Sequence, residues 1–178
     1  MQWTCPKARH IVLALMAAAL APGALAQNPA LPIAPERLAT ALPSTPWGDV
    51  TRQKPELQGT TVPVKRSQAK VAFQGKRGST EPFLANFILS DEGDYGAGMY
   101  GYGAKYMTED VKDDTQRSLV LPGGQRALLT SYTKNSMEIE TFVGKRFVAR
   151  TSCVNADEAQ CIAAFSKWDF KAIAALKP

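Results

Sequence analysis

Two acidic groups and one serine–lysine pair carry the side chains in this chain that could run a reaction. The first group is Asp91, Glu92 and Asp94; the second is Glu109, Asp110, Asp113 and Asp114. Two carboxylates flanking a sugar bond can hydrolyse it as general acid and base or nucleophile. The same oxygen-rich clusters suit calcium, but neither follows the D-x-[DN]-x-[DN]-G loop. Acidic residues beside glycine or in a polar stretch more often form a solvated turn. Ser131-Tyr-Thr-Lys134 matches S-x-x-K, a serine nucleophile motif that opens a helix. Here the residues from Leu128 to Thr133 read as a strand, and no S-D-N or K-T-G follows. An alternating strand ending at a Lys134-Asn135 turn is therefore the expectation.

Gly96, Gly98 and Gly101 spell G-x-G-x-x-G, the spacing of a dinucleotide-binding turn. That turn works only between a strand and a helix whose N-terminus receives the pyrophosphate. Tyr100 to Tyr106 alternate glycine and tyrosine, which is poor helix material, so no nucleotide cofactor is expected. The stretch reads instead as a strand with Tyr100, Tyr102 and Tyr106 on one face and Met99, Gly101, Gly103 and Lys105 on the other. Tyrosines on one face are half-buried sheet residues or a contact surface with polar tips. If a binding surface exists in this region, it comprises Tyr95, Tyr100, Tyr102 and Tyr106, with Asp91, Asp94 and Lys105 at its margin.

The beginning of the chain narrows the chemistry. Lys7 and Arg9 precede an apolar run from Ile11 to Leu20, then Pro22-Gly23 and an A-x-A site at Ala24-Leu25-Ala26. This is the order of a secretory signal peptide cleaved after Ala26. The run is shorter than the about 20 apolar residues that span a bilayer. Cleavage would leave 152 of the 178 residues, with 19 of the 21 basic residues facing 16 acidic ones, a net charge of +3. Such a mild bias does not argue for nucleic-acid binding, and no later segment is apolar for long enough to cross a membrane.

The only histidine, His10, lies in the leader. A mature chain without histidine lacks Ser-His-Asp and Cys-His catalysis, imidazole acid–base chemistry, and histidine metal or haem ligation. Cys5 also belongs to the leader, which leaves Cys153 and Cys161. In an oxidising compartment these two are expected to form a disulfide rather than a metal or redox site.

The remaining pattern supplies the framework. Residues 27–60 are rich in proline and read as an arm, with a short helix from Pro35 to Leu42 ended by Pro43. Residues 61–178 read as one α+β domain. Val62 and Val64 form one short strand and Val71 and Phe73 another, separated by a turn at Lys65-Arg66-Ser67-Gln68, with a further strand from Phe83 to Leu89. Leu119 to Leu121 end at Pro122-Gly123-Gly124. A three-strand meander follows, from Gln125 to Cys153, with Glu138, Glu140, Arg146 and Arg150 on its outer face. The last element is a helix capped by Asn155, with Cys161, Phe165, Trp168, Ala172 and Leu176 on its apolar side and a second segment capped by Asp169. The expected fold is a mainly antiparallel sheet of about six to eight strands packed by the C-terminal helix.

These features together suggest a non-catalytic protein of the periplasm or exterior that binds another envelope protein or component. A carboxylate-dependent hydrolase of envelope glycans and a calcium- or lipid-binding structural protein are the alternatives.

Overall fold

Alternation of apolar and polar residues is clearest in the second half of the chain, and there it produces a long antiparallel ladder. In the computed structural model, residues 31–60, 66–75, 81–93, 107, 109–144 and 146–177 are described. Three strands form the meander: β6 (Arg126–Thr133), β7 (Ser136–Val143) and β8 (Phe147–Val154). Met137, Ile139, Thr141 and Val143 of β7 face the core, while Glu138, Glu140 and Phe142 face the other side. The buried Thr141 costs little because its hydroxyl donates to the Arg126 carbonyl and accepts from Gln125 Nε2 at 2.6 Å.

The other strands are β1 (Thr51–Arg52), β2 (Glu56–Thr60), β3 (Arg66–Gln74), β4 (Leu84–Asp91) and β5 (Gln116–Val120). Their order across the sheet is β1-β3-β4-β8-β7-β6-β5, with β2 also paired to β3. After β4 the chain crosses to the far edge at β5 and returns through the meander, so β8 closes beside β4. Every one of these pairings is antiparallel. The edge at β5 is partly covered by its own chain: Ser118 N–H donates to Val111 O, and Asp113 N–H to Gln116 O, both at 2.8 Å. Covering an edge in this way limits pairing with other chains.

Two readings shift in the first half. Arg66, Ser67 and Gln68, expected as a turn, are the first residues of β3, where Ser67 pairs with Asp91 and Gln68 with Ser90. The polar side chains are accommodated across the strands, with Gln68 Nε2 donating to Ser90 Oγ at 3.0 Å and Arg66 pairing with Glu92 at 3.1 Å. Glu56–Thr60, expected in the extended arm, is a full strand along β3, in which Glu56 reaches Lys70 at 3.6 Å. Cross-strand partners outweigh local polarity in both places. Val62 and Val64, expected as a strand of their own, lie outside the described residues.

The helices cover the core face of the sheet. α1 (Pro35–Ala39) starts with Pro35 in its first turn and buries Leu38. α2 (Glu158–Phe165) is capped by Asp157, two residues after the expected cap. Asp157 and Gln160 form a reciprocal capping box. Asn155 instead takes a left-handed conformation, φ 55°, which Asn tolerates better than most residues, and turns the chain out of β8. α3 (Phe170–Ala174) is capped by Asp169, as the sequence suggests. The break before it rotates the apolar side, so Ile173 is buried and Ala172 exposed.

The Cys153–Cys161 disulfide joins the end of β8 to α2, and both cysteines lie in the core. Beneath the helices runs an aromatic column. Trp47 packs on Phe73 at 4.8 Å between ring centroids, Phe73 on Phe87 at 5.3 Å, and Phe87 on Trp168 at 5.4 Å. Trp168 Nε1–H donates to Thr151 Oγ1 at 3.0 Å, which satisfies the indole inside the core. Among the described residues, no helix is long and apolar enough to cross a membrane.

Candidate ligand-binding cleft

The cleft lies at the end of this aromatic column where the core opens to solvent. One wall is a turn at residues 47–50, in which Val50 N–H donates to Trp47 O and Gly48 supplies φ +54°. Such a φ is uncommon for a side chain other than glycine. Upstream, Arg52 Nε donates to Pro43 O at 3.1 Å and braces the proline-rich approach to this turn.

The second wall closes the β3–β4 hairpin. Gly75 N–H donates to Phe83 O at 2.8 Å, and a Cβ on Gly75 would lie only 3.3 Å from Phe83 N, so glycine permits the close approach. The third wall is α2, which presents Gln160 and Ala163. Trp47, Val50, Phe83 and Ala163 make the lining of this open cleft largely apolar, and its volume is about 380 Å³.

Asp49 and Gln160 are the polar side chains of the lining. Gln160 Oε1 is committed to Asp157 N–H at 2.9 Å, leaving the amide nitrogen to donate elsewhere. The Lys167 ammonium stands 5.9 Å from the centroid of the Trp47 ring. Asp49 lines the cleft and is itself partnered. Trp47 and Phe83 escape a motif-based reading because they carry no catalytic chemistry; the signal available was a large aromatic between Pro46 and Gly48 in a polar stretch.

Of the candidate surface residues singled out from sequence, the described one, Asp91, is not part of the cleft lining. Asp91 ends β4 with its carboxylate buried, accepting Ile33 N–H at 2.7 Å and Gly93 N–H at 2.9 Å. Arg146 donates to the same carboxylate through Nε at 2.7 Å and Nη2 at 2.8 Å. Tyr95, Asp94, Tyr100, Tyr102, Lys105 and Tyr106 lie outside the described residues, as do Gly96, Gly98 and Gly101.

The other acidic residues have local roles. Asp110 pairs with Arg126 at 2.6 Å. Asp113 accepts backbone N–H groups of Thr115 and Gln116, and these hold its carboxyl below the ordinary range. Among the described residues, no group of three or more His, Cys, Asp or Glu side chains could hold a metal. Ser131 belongs to β6, not to a helix, and the ladder is irregular between Ser131 and Thr133. Together with Lys134, Asp114, Asp157 and Glu158 it lines a shallow polar depression. Arg117 pairs with Glu158 at its margin.

The meander's charges meet as the alternation implies, with one exception. Glu140 lies directly across from Arg150, whose guanidinium reaches Glu140 at 2.9 Å and Glu138 at 3.2 Å. Burial raises the Glu138 carboxyl above its usual value, opposed by Arg150 and reinforced by Glu140. Burial, and then Glu138, also raise the Tyr132 phenol, with Arg150 opposing. Arg146 leaves this group for Asp91.

The fold defines the class as an α+β protein with an eight-stranded antiparallel sheet and one disulfide. No protein-family model, curated protein or solved structure matches the chain.

Proposed function

We propose that this is an exported, non-catalytic protein that binds a partner or ligand of the cell envelope, with the Trp47–Phe83 cleft as its recognition site. The observation that carries the reading is the cleft itself: a largely apolar space of about 380 Å³ whose lining includes the polar side chains of Asp49 and Gln160. Concave apolar sites with sparse polar groups are the usual form of small-ligand and anchor-residue pockets. Export rests on the leader ending at Ala26 and is compatible with the disulfide.

The test compares wild type with Ala163→Leu, recovered untagged from the native envelope and weighed by native mass spectrometry. Ala163 is exposed on α2, so leucine fits the helix while filling the cleft. Wild type is expected to carry a bound species that the variant loses, with both at the mass of a chain beginning at Gln27. The same bound species on both proteins would remove the cleft from the account.

A further inference from the structure

The two edges of the sheet are treated differently. At the β5 edge, Val111 and Asp113 bond along the strand and Lys112 bridges to Arg117, so backbone and charge both guard it. At the other edge, β2 has β3 on one side, and among the described residues its backbone bonds no further segment. Glu56, Leu57, Gln58 and Gly59 are all exposed, which leaves the apolar Leu57 side chain 46% in water. The strand carries no lysine, arginine or proline, and its one charge, Glu56, reaches Lys70 of the same sheet at 3.6 Å. An open, nearly uncharged edge is a template for another strand.

We propose that β2 pairs antiparallel with β2 of a second copy of this chain, about a two-fold axis at Gln58, and so joins two sheets into one. The contact is independent of the cleft, which lies at the opposite end of β3 beside Gly75.

Self-complementarity selects the second copy. A register centred on Gln58 sets Leu57 opposite Gly59 of the second copy and Glu56 opposite its Thr60. The two-fold repeats each pair, so no like charges oppose one another. Leu57 and Gly59 pair with Ala69 and Ser67 of β3, which are buried on the core-facing side. Leu57 of one copy therefore meets bare backbone at Gly59 of the other, beside Pro35, whose Cγ is 3.7 Å from where a Gly59 Cβ would stand. Pairing takes both exposed leucines out of water. Five paired residues span about 17 Å. That is a small contact, so the dimer is a weak one that forms at high concentration.

Sedimentation equilibrium of the untagged chain from Gln27 onwards, across the micromolar to millimolar range, tests the pairing. The mass is expected to rise from one chain towards two with concentration, and hydrogen exchange should slow at alternate amides of β2 as it does. Gln58→Glu opposes the dimer without disturbing the chain. Within β2 the new carboxylate stands opposite Gln68, between Lys70 and Arg66, whereas across the two-fold two carboxylates face each other. It should raise the dissociation constant by up to about fivefold, the effect of like charges directly opposite on paired strands. Mixing Gln58→Glu with Gln58→Lys chains should restore association, because opposite charges then meet at the axis.

A single-chain mass at every concentration overturns the proposal. So does a dimer that Gln58→Glu leaves unchanged and whose β2 amides exchange as they do in the monomer. Protection of β2 only in the native envelope complex, with the free chain monomeric, would give the edge to a strand of another protein and exclude the second copy. The exchange measurement needs no substitution, so it decides between these outcomes even if Gln58→Glu fails to fold.

Discussion

Arg146 grips Asp91 with two parallel hydrogen bonds, at 2.7 and 2.8 Å, and the same guanidinium donates to the Leu31 carbonyl at 2.6 Å. Asp91 in turn accepts Ile33 N–H, so a pair of opposed charges holds the backbone of residues 31–33 against the end of the sheet. The carboxylate is wholly buried and the guanidinium side chain only 16% exposed, so neither charge has water to fall back on if the other is removed. Bidentate geometry and backbone partners make this arrangement hold where a lone buried ion would not.

Removing one member should therefore cost far more than an ordinary surface substitution. Arg146→Met is expected to lower unfolding free energy by about 3–5 kcal/mol, the cost of an uncompensated buried charge. Urea denaturation measures it, and hydrogen exchange should find the Ile33 amide among the most deprotected. A loss under about 1 kcal/mol would mean that the arm is held by other contacts.

The disulfide closes a short loop between β8 and α2. Replacing Cys153 and Cys161 together with alanine should destabilise the protein by about 2.5 kcal/mol from the chain-entropy effect, plus lost packing in the core. Comparing denaturation midpoints of the wild type with and without reductant checks the bridge, and a mass two hydrogens below the reduced chain confirms that it forms.

Thr151 shows how the core treats a polar group. Its hydroxyl accepts the Trp168 indole N–H, and both residues are buried. Thr151→Val keeps the shape but strands the donor, at an expected cost of about 1–3 kcal/mol in urea. Trp168→Phe, which removes the donor and also shrinks the ring, should relieve part of that penalty in the double variant, a coupling that a double-mutant cycle would read.

Glu138 gives the fold a pH dependence of known sign. Its carboxyl is raised in the folded protein, first by burial, so the native state holds this proton more tightly than the unfolded chain does. The stabilising contribution is full below the ordinary glutamate value and is lost as pH rises through the folded one. Glu138→Gln removes that dependence, so its melting temperature relative to wild type should rise between pH 4 and pH 7. The substitution leaves Arg150 paired with Glu140, so the ion pair across β7 and β8 survives it. A constant difference across that interval would contradict the assignment.

What the sequence discloses and what it hides follow from the range of the forces involved. The meander is legible because Met137, Ile139 and Val143 alternate over short turns, and this period-two pattern is local. Glu140 opposite Arg150 then follows from register alone. The start of β3 is not legible, since Arg66 and Gln68 are polar and only their partners on and just after β4, Ser90 and Glu92, make a strand of them. The role of Asp91 is hidden for the same reason: its partner Arg146 is 55 residues away and the arm it holds is 58 away. The cleft combines residues from the turn at Trp47, the hairpin at Phe83 and α2, a conjunction that no local spacing records.

The most direct test of the binding site is hydroxyl-radical footprinting of the native envelope complex against the free protein. Trp47 and Phe83 reach the cleft and react readily as aromatic side chains, whereas Tyr132, exposed and away from the cleft, serves as an internal reference. The account predicts that Trp47 and Phe83 become protected in the complex while Tyr132 keeps its reactivity. Protection of Tyr132 with Trp47 and Phe83 unchanged would contradict it and move the recognition surface to the region around Tyr132.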